Sequence, residues 1–238
     1  MSRPWRHVNR GFALLLVGLL AAPCALAEEV ADPFADADMD NATEINEVCA
    51  GCHGEYGQGG KDGEYPRLAG LPAAFIARQL ELFRGREREN LAMVEHTDHR
   101  QMPDSDVRDI SAFLAAIELP SRLPPVDETA ADFNAYERLM ATKRMVQIPR
   151  AEGDTIAGER LYAKECASCH GRDGQGRERD AVPMLAGQYT GYLHRQVEKY
   201  IDKRRVHDPS DPDAEELLAA FSAEELRDIF AYISILDD

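Results

Sequence analysis

Two five-residue runs, Cys49-Ala-Gly-Cys52-His53 and Cys166-Ala-Ser-Cys169-His170, bring together the residue types best suited to chemistry in this chain. In each, two thiols about one helical turn apart can reach the two vinyl groups on one edge of a porphyrin. The histidine that follows then brings its imidazole to the iron from the same side. This is the spacing of c-type haem attachment. It implies two covalently bound haem c groups, held by Cys49/Cys52 and Cys166/Cys169, with His53 and His170 as proximal ligands. Two rival readings use the same residues. A thioredoxin-like redox pair needs a strand-helix-strand setting, which the flanking sequence lacks. A zinc site would put both C-x-x-C pairs on one metal and give the adjoining histidines no role.

The compartment follows from the start of the chain. Arg3, Arg6 and Arg10 form a basic segment, Phe12 to Leu20 an apolar run, and Ala25-Leu26-Ala27 a small-x-small site. The run is too short to span a bilayer as a mature helix and ends early at Pro23, so residues 1–27 read as a signal peptide cleaved after Ala27. Cleavage removes Cys24, so every cysteine left belongs to one of the two motifs. The protein is then periplasmic, with no transmembrane segment after processing. The formal charge of −16 falls to −19 without those three arginines, since the first 27 residues hold no acids. Such a surface repels nucleic acid and anionic lipid and favours redox protein partners with basic docking patches, a membrane-bound oxidase or reductase among them.

The two motifs sit in an internal repeat. At an offset of 117, Gly57-Gln58-Gly59 matches Gly174-Gln175-Gly176, and Leu68-Ala69-Gly70 matches Leu185-Ala186-Gly187. Pro66, Gln79 and Arg88 recur as Pro183, Gln196 and Arg205, and Phe75 corresponds to Tyr192. Further on the offset becomes 119, pairing Phe113 with Tyr232, so a two-residue length change lies before the last helix of each copy. Periodicity predicts only helices. One runs into each haem motif, with Thr155 as cap in copy two and with Asn41, Ile45 and Cys49 set against Gly158, Tyr162 and Cys166. Middle helices cover roughly 72–85 and 189–204. The last ones run from Asp104 to Leu119 and from Ser222 to Leu236, the latter opening on a Ser222/Glu225 capping box. The joining segment 120–154 is stiffened by Pro120, Pro124 and Pro125, and Glu128 to Val146 reads as a helix that helps hold the copies together. Residues 28–40 read as a disordered acidic leader.

On the Gly158-x-x-x-Tyr162-x-x-x-Cys166-x-x-Cys169-His170-Gly171 run, the Pro-x-Leu-Ala-Gly segments and the aromatic in each last helix, the chain resembles class I cytochrome c twice over, in the tandem-domain dihaem arrangement of cytochrome c4. The resemblance implies an all-α fold with a cytochrome c domain at 41–119, a partly helical linker at 120–154 and a second domain at 155–238. It implies that the first and last helices cross, with Phe113 near Ile45 and Tyr232 near Gly158 and Tyr162. It also implies that the carbonyls of Pro66 and Pro183 accept hydrogen bonds from His53 and His170.

The resemblance places the distal ligand in the loop before the last helix. In copy one, Met93 follows Asn90 within that loop and is the assigned ligand. Met102 is the alternative, standing where copy two has Phe221. Copy two has no methionine after Met184. Met184 lies beside Pro183 on the proximal side, Met140 and Met145 in the linker, and His194 on the middle helix. His207, at the start of the loop, is therefore the candidate, giving a bis-histidine iron of lower potential than His/Met. The competing role for His207 is to cap the middle helix or bond a propionate, leaving that iron open. The function these residues point to is an electron carrier working by outer-sphere transfer rather than an enzyme. The alternatives are a haem enzyme or sensor binding a small ligand at the second iron, and the cytochrome subunit of a dehydrogenase.

Overall fold

The computed structural model describes residues 32–206 and 213–236, with the backbone alone for 213–215. The expected signal peptide, residues 28–31 of the leader and His207 lie outside the described residues. Among those described the chain is helical, with only two isolated bridges, Gly60 to Tyr65 and Arg177 to Val182, in extended pairing. Copy one comprises α1 (Met39–His53), α2 (Ala73–Arg84), α3 (Leu91–His96) and α4 (Asp104–Ala115). The linker holds α5 (Ala135–Thr142). Copy two comprises α6 (Thr155–Glu165), α7 (Ala167–His170), α8 (Thr190–Ile201), α9 (Asp213–Ala220) and α10 (Ala223–Ile233). No helix among the described residues is long and apolar enough to cross a membrane.

Each copy is built on a crossing of its first and last helices, α1 on α4 and α6 on α10. One core gathers Leu71, Ile76, Ile110 and Leu114, with Ile45 and Phe113 packed against it. The other gathers Tyr162, Ile229, Phe230 and Ile233, with Tyr232 alongside. The rings of Tyr162 and Tyr232 lie 5.4 Å apart, centre to centre. Tyr232 thus lies where the resemblance expects it, and Phe113 packs on the same core as Ile45.

Several boundaries differ from the sequence expectation for local reasons. The leader is ordered from Asp32 on. Asp38 caps α1 by accepting from the N–H groups of Asp40 and Asn41, and its own N–H donates to Asp109 at 3.1 Å. Asp154, not Thr155, caps α6, because a carboxylate one residue earlier already takes the N–H groups of Ile156 and Ala157. Counted from these caps, Ala42 and Asn46 stand where Gly158 and Tyr162 stand, not Asn41 and Ile45. The extra residue of copy two is absorbed at Cys166, where α6 ends and α7 begins.

The linker helix is shorter than expected, because Asn134 caps it late and Asp127 ties up Thr129 in a turn upstream. Its Tyr136 and Leu139 are exposed. The linker touches copy one through Arg144, 4.7 Å over the Tyr56 ring. Direct bonds between the copies, rather than α5, hold them together. Two short helices, α3 and α9, occupy stretches that carry no clear helical period. The capping box of α10 is complete in both directions.

Candidate haem-binding sites

Each histidine is the last residue of its helix, α1 or α7, with both cysteines within about a turn of it, so local geometry sets thiols and imidazole close together. The chain then turns back. Gly59 N–H donates to the His53 carbonyl at 2.8 Å, and Gly176 N–H to that of His170 at 2.8 Å. These glycines have φ of 76° and 72°, and a Cβ on either would fall within 2.8 Å of the backbone around Pro66 or Pro183. Only glycine lets that segment come so close. The result is one hydrogen bond per site: His53 Nδ1 donates to the Pro66 carbonyl at 3.0 Å, and His170 Nδ1 to that of Pro183 at 2.9 Å. A carbonyl can only accept, so the proton is on Nδ1 and the ligating lone pair on Nε2.

The site chemistry fits haem better than its rivals. Burial holds the His53 pKa below the ordinary imidazole value, with the Pro66 bond opposing it, and this favours the neutral form that binds metal. None of the four motif cysteines is paired in a disulfide. Burial raises the Cys49 thiol and pushes Cys166 up to about 11, the reverse of the depressed values that reactive redox thiols show. Among the described residues no group of three or more His, Cys, Asp or Glu side chains is placed to hold a metal ion, so a zinc tetrad does not form.

Of the distal candidates, Met93 is half-buried on α3, whose Asn90 cap accepts from the Met93 N–H. Met102 is buried, and its carbonyl accepts from Arg84 at 2.7 Å. Met184 packs against the core of copy one, with its methyl carbon 3.4 Å from where a Cβ on Gly70 would lie. His194 is exposed on α8, 3.5 Å from Glu198. Met140 and Met145 are half-buried, outside both cores.

The interface between the copies holds residues the sequence reading matched without giving a role. Arg88 donates to Gln79 of its own copy at 2.9 Å and to Tyr192 and Gln196 of the other at 2.8 and 3.1 Å. Arg205 donates to Gln196 at 2.9 Å and to Gln79 at 3.1 Å. Each guanidinium stacks on the aromatic ring five residues earlier, Arg88 on Phe83 and Arg205 on Tyr200. Two related copies thus exchange equivalent contacts across a local two-fold. Gln188 adds a pair of bonds to the Arg67 backbone, at 3.0 and 2.9 Å.

Both arginines are buried, and among the described residues no carboxylate lies within ion-pair reach of either. Burial lowers the Arg88 pKa. Burial also pushes Tyr192 up, but the two guanidiniums outweigh it and the net direction is down. Arg205 Nε is buried without a partner. Burying a cation is costly, and the bonds to Gln79, Gln196 and Tyr192 offset part of that cost. The signal was legible: polar Gln79 and Arg88 recur unchanged at the repeat offset as Gln196 and Arg205.

Helix crossings, the two motifs and their proline-anchored histidines define a class I haem protein folded twice in one chain. The chain belongs to the cytochrome c family, whose sequence profile matches residues 41–118 and 156–237. It is a dihaem cytochrome of the c4-like build, with two covalently bound haem c groups.

Its relatives include a thiosulfate dehydrogenase electron acceptor of Stutzerimonas stutzeri (strain A1501), 30% identical over 196 residues covering 82% of both chains. Cytochrome c4 of Azotobacter vinelandii is 25% identical over 203 residues, 78% of this chain and 83% of that one. Reduced cytochrome c4 from Pseudomonas stutzeri shares the fold with a TM-score of 0.64 at 19% identity, over 83% of this chain and 98% of that structure. Thiosulfate dehydrogenase from Marichromatium purpuratum, as isolated, gives 0.61 at 25% identity over 83% of this chain and 40% of that longer one.

Proposed function

We propose that the protein is a periplasmic dihaem electron carrier that accepts electrons from a dehydrogenase protein and passes them on by outer-sphere transfer. The observation that carries this reading is the pair of proline-anchored histidines in two domains locked directly to each other. Cys49/Cys52 and Cys166/Cys169 would form the thioether links, and His53 and His170 would ligate through Nε2. Haem iron with two axial protein ligands supplies a one-electron couple and leaves no open position for substrate. The chain's own contribution is to hold both imidazoles in one tautomer and to fix the two domains relative to each other. Arg88 and Arg205 make the bonds that fix this junction.

Met93 is supported as the distal ligand of haem one by its partial exposure on α3. Met102 is buried and fills the place of Phe221, as a core side chain does. For haem two the methionines are spent elsewhere, and His207 is the distal residue. The relative whose name describes an electron acceptor of thiosulfate dehydrogenase favours a donor that oxidises a small sulfur anion. Two irons can take the two electrons of such an oxidation, one each. The acidic surface favours a donor with a basic docking patch.

A redox titration followed by absorption and EPR tests the reading. Two low-spin haems are expected, the second at the lower potential, and both should be reduced by a thiosulfate dehydrogenase given thiosulfate. Met93→Ala should abolish the thioether-to-iron absorption band while Met102→Ala keeps it, and His207→Ala should turn haem two high-spin. A second haem already high-spin in the wild type, binding carbon monoxide, would replace the carrier with a ligand-binding enzyme or sensor.

A further inference from the structure

Arg84, the last residue of α2, has a side chain only 6% exposed, yet it faces a segment whose apolar side chains, Met102 aside, stay out of the core. Its guanidinium reaches four acceptors. Nε donates to the Thr97 carbonyl at 2.9 Å and Nη2 to the Met102 carbonyl at 2.7 Å. Nη1 donates to Asp104 at 2.8 Å and to Glu81 at 2.9 Å. Thr97 is the C-cap of α3, and Met102 is the last residue before Pro103 caps α4. One cation therefore ties both downstream ends of the 91–102 segment to α2.

The segment needs such a tie. A helix of six residues is not stable alone, and α3 buries none of its side chains. Its start is held by the Asn90 cap and by the contacts of Glu89 with Arg204 and Lys199. Its end is held by Arg84, a cation donating to the carbonyl end of a helix, where the helix dipole favours positive charge. Copy two has dismantled the device from both sides. At the matching positions Arg84 becomes Ile201, 42% exposed, and Asp104 becomes Ala223. Cation and carboxylate are lost together in the copy whose loop has no methionine.

We infer that Arg84 is the positioning residue for the sixth ligand of haem one: it pins the segment bearing Met93 so that the thioether stays on the iron, and copy two lacks this restraint because it does not use that ligand. The inference rests on the Met93 reading. It is distinct from the electron-carrier role, because it concerns how firmly one iron is closed to added ligands.

The test uses the haem-loaded full chain. In Arg84→Gln, the thioether-to-iron band should fade at a temperature well below the loss of helical circular dichroism. Ferric haem one should bind added imidazole about tenfold or more tightly, since each charge-assisted bond removed shifts the closed-to-open ratio by that order. Arg84→Lys should recover part of the effect, because an ammonium reaches fewer of the four acceptors. Haem two should keep its wild-type spectrum in both variants. If Arg84→Gln loses the band only in step with helix content, or keeps wild-type imidazole affinity while Met93→Ala loses the band, Arg84 is merely structural and the inference is overturned. If Met93→Ala keeps the band, the ligand assignment itself falls and takes the inference with it.

Discussion

In copy two, α6 and α10 meet at Gly158, where an added Cβ would lie 2.0 Å from the Asp228 carbonyl oxygen. In copy one, Ala42 occupies that place, fully buried, with the same N–H bond back to its capping aspartate. The first crossing therefore has room for a methyl group that the second excludes. Copy one compensates for its looser fit with polar bonds. Asp109 accepts from the Asp38 N–H, from Asn41 Nδ2 at 3.0 Å and from Arg108 at 2.7 Å, whereas its counterpart Asp228 accepts from the Asp154 N–H at 2.9 Å. One topology thus closes its central crossing by shape in one copy and by a satisfied carboxylate in the other.

The largest break in that comparison is Gly158→Ala. A contact of that kind forces helix displacement, and about 3 kcal/mol or more of destabilisation is expected. Thermal unfolding should shift by some ten degrees or more for a domain of this size. Ala42→Gly should cost only about 1 kcal/mol, the intrinsic penalty of glycine in a helix. If the two substitutions cost the same, the crossings do not differ as described.

Asp109→Asn is next, at about 2 to 3 kcal/mol, because it removes the charge behind several bonds to a buried oxygen pair. Burial pushes the Asp109 pKa up, but bonds from Asn41, Arg108 and Asp38 outweigh it and the folded value is depressed. The sign follows. This stabilisation is complete above the unfolded carboxylate value of about 3.9 and is lost as pH falls through the lower folded value. Acid unfolding of the wild type should therefore be steeper below about pH 4 than that of Asp109→Asn. A variant with the wild-type acid slope would rule out the carboxylate as the device.

At the junction the copies stop differing and act as equals. Arg88→Met and Arg205→Met should each cost about 1 to 2 kcal/mol, since bonds are lost but a buried cation is removed as well. The double variant should cost less than the sum, because both arginines share Gln79 and Gln196. Additive losses in denaturant melts would show that the two act independently.

The sequence made the haem motifs, the helical class, the proline carbonyls and the aromatic crossings legible, because each depends on residue type at fixed spacing along one chain. What it hid depends on where separate segments meet. Alignment on the cysteines puts the register of α1 one residue off, because it ignores the capping aspartates that set the helix start. Two of the four ties made by Arg84 are to backbone carbonyls, which leave no mark on residue choice at the accepting positions. Only the paired loss in copy two, Ile201 with Ala223, records them. Apolar spacing overextends the linker helix, because spacing is no guide to how little of it is buried.

The smallest difference lies at the start of the last helix. Copy one opens α4 on Pro103, which offers no side-chain cap, and relies on acidic Asp104 and Asp106 in the first turn. Copy two opens α10 on Ser222, whose hydroxyl accepts from the Glu225 N–H at 3.2 Å while the Glu225 carboxylate accepts from the Ser222 N–H at 2.9 Å. Ser222→Ala leaves those N–H groups to water and should cost about 1 kcal/mol, a few degrees in the melt of copy two. The Ser222 backbone and side-chain bonds hold Glu225 below the usual carboxylate range. The reciprocal bond is therefore present above the ordinary Glu value of about 4.3 and weakens as pH falls through the depressed one. The converse change sharpens the comparison. Pro103→Ser places a hydroxyl three residues before Asp106, too short a carboxylate to complete the box as glutamate does. It should stabilise copy one by less than Ser222→Ala destabilises copy two. A gain equal to that loss would mean that the serine alone, and not the reciprocal pair, makes the cap.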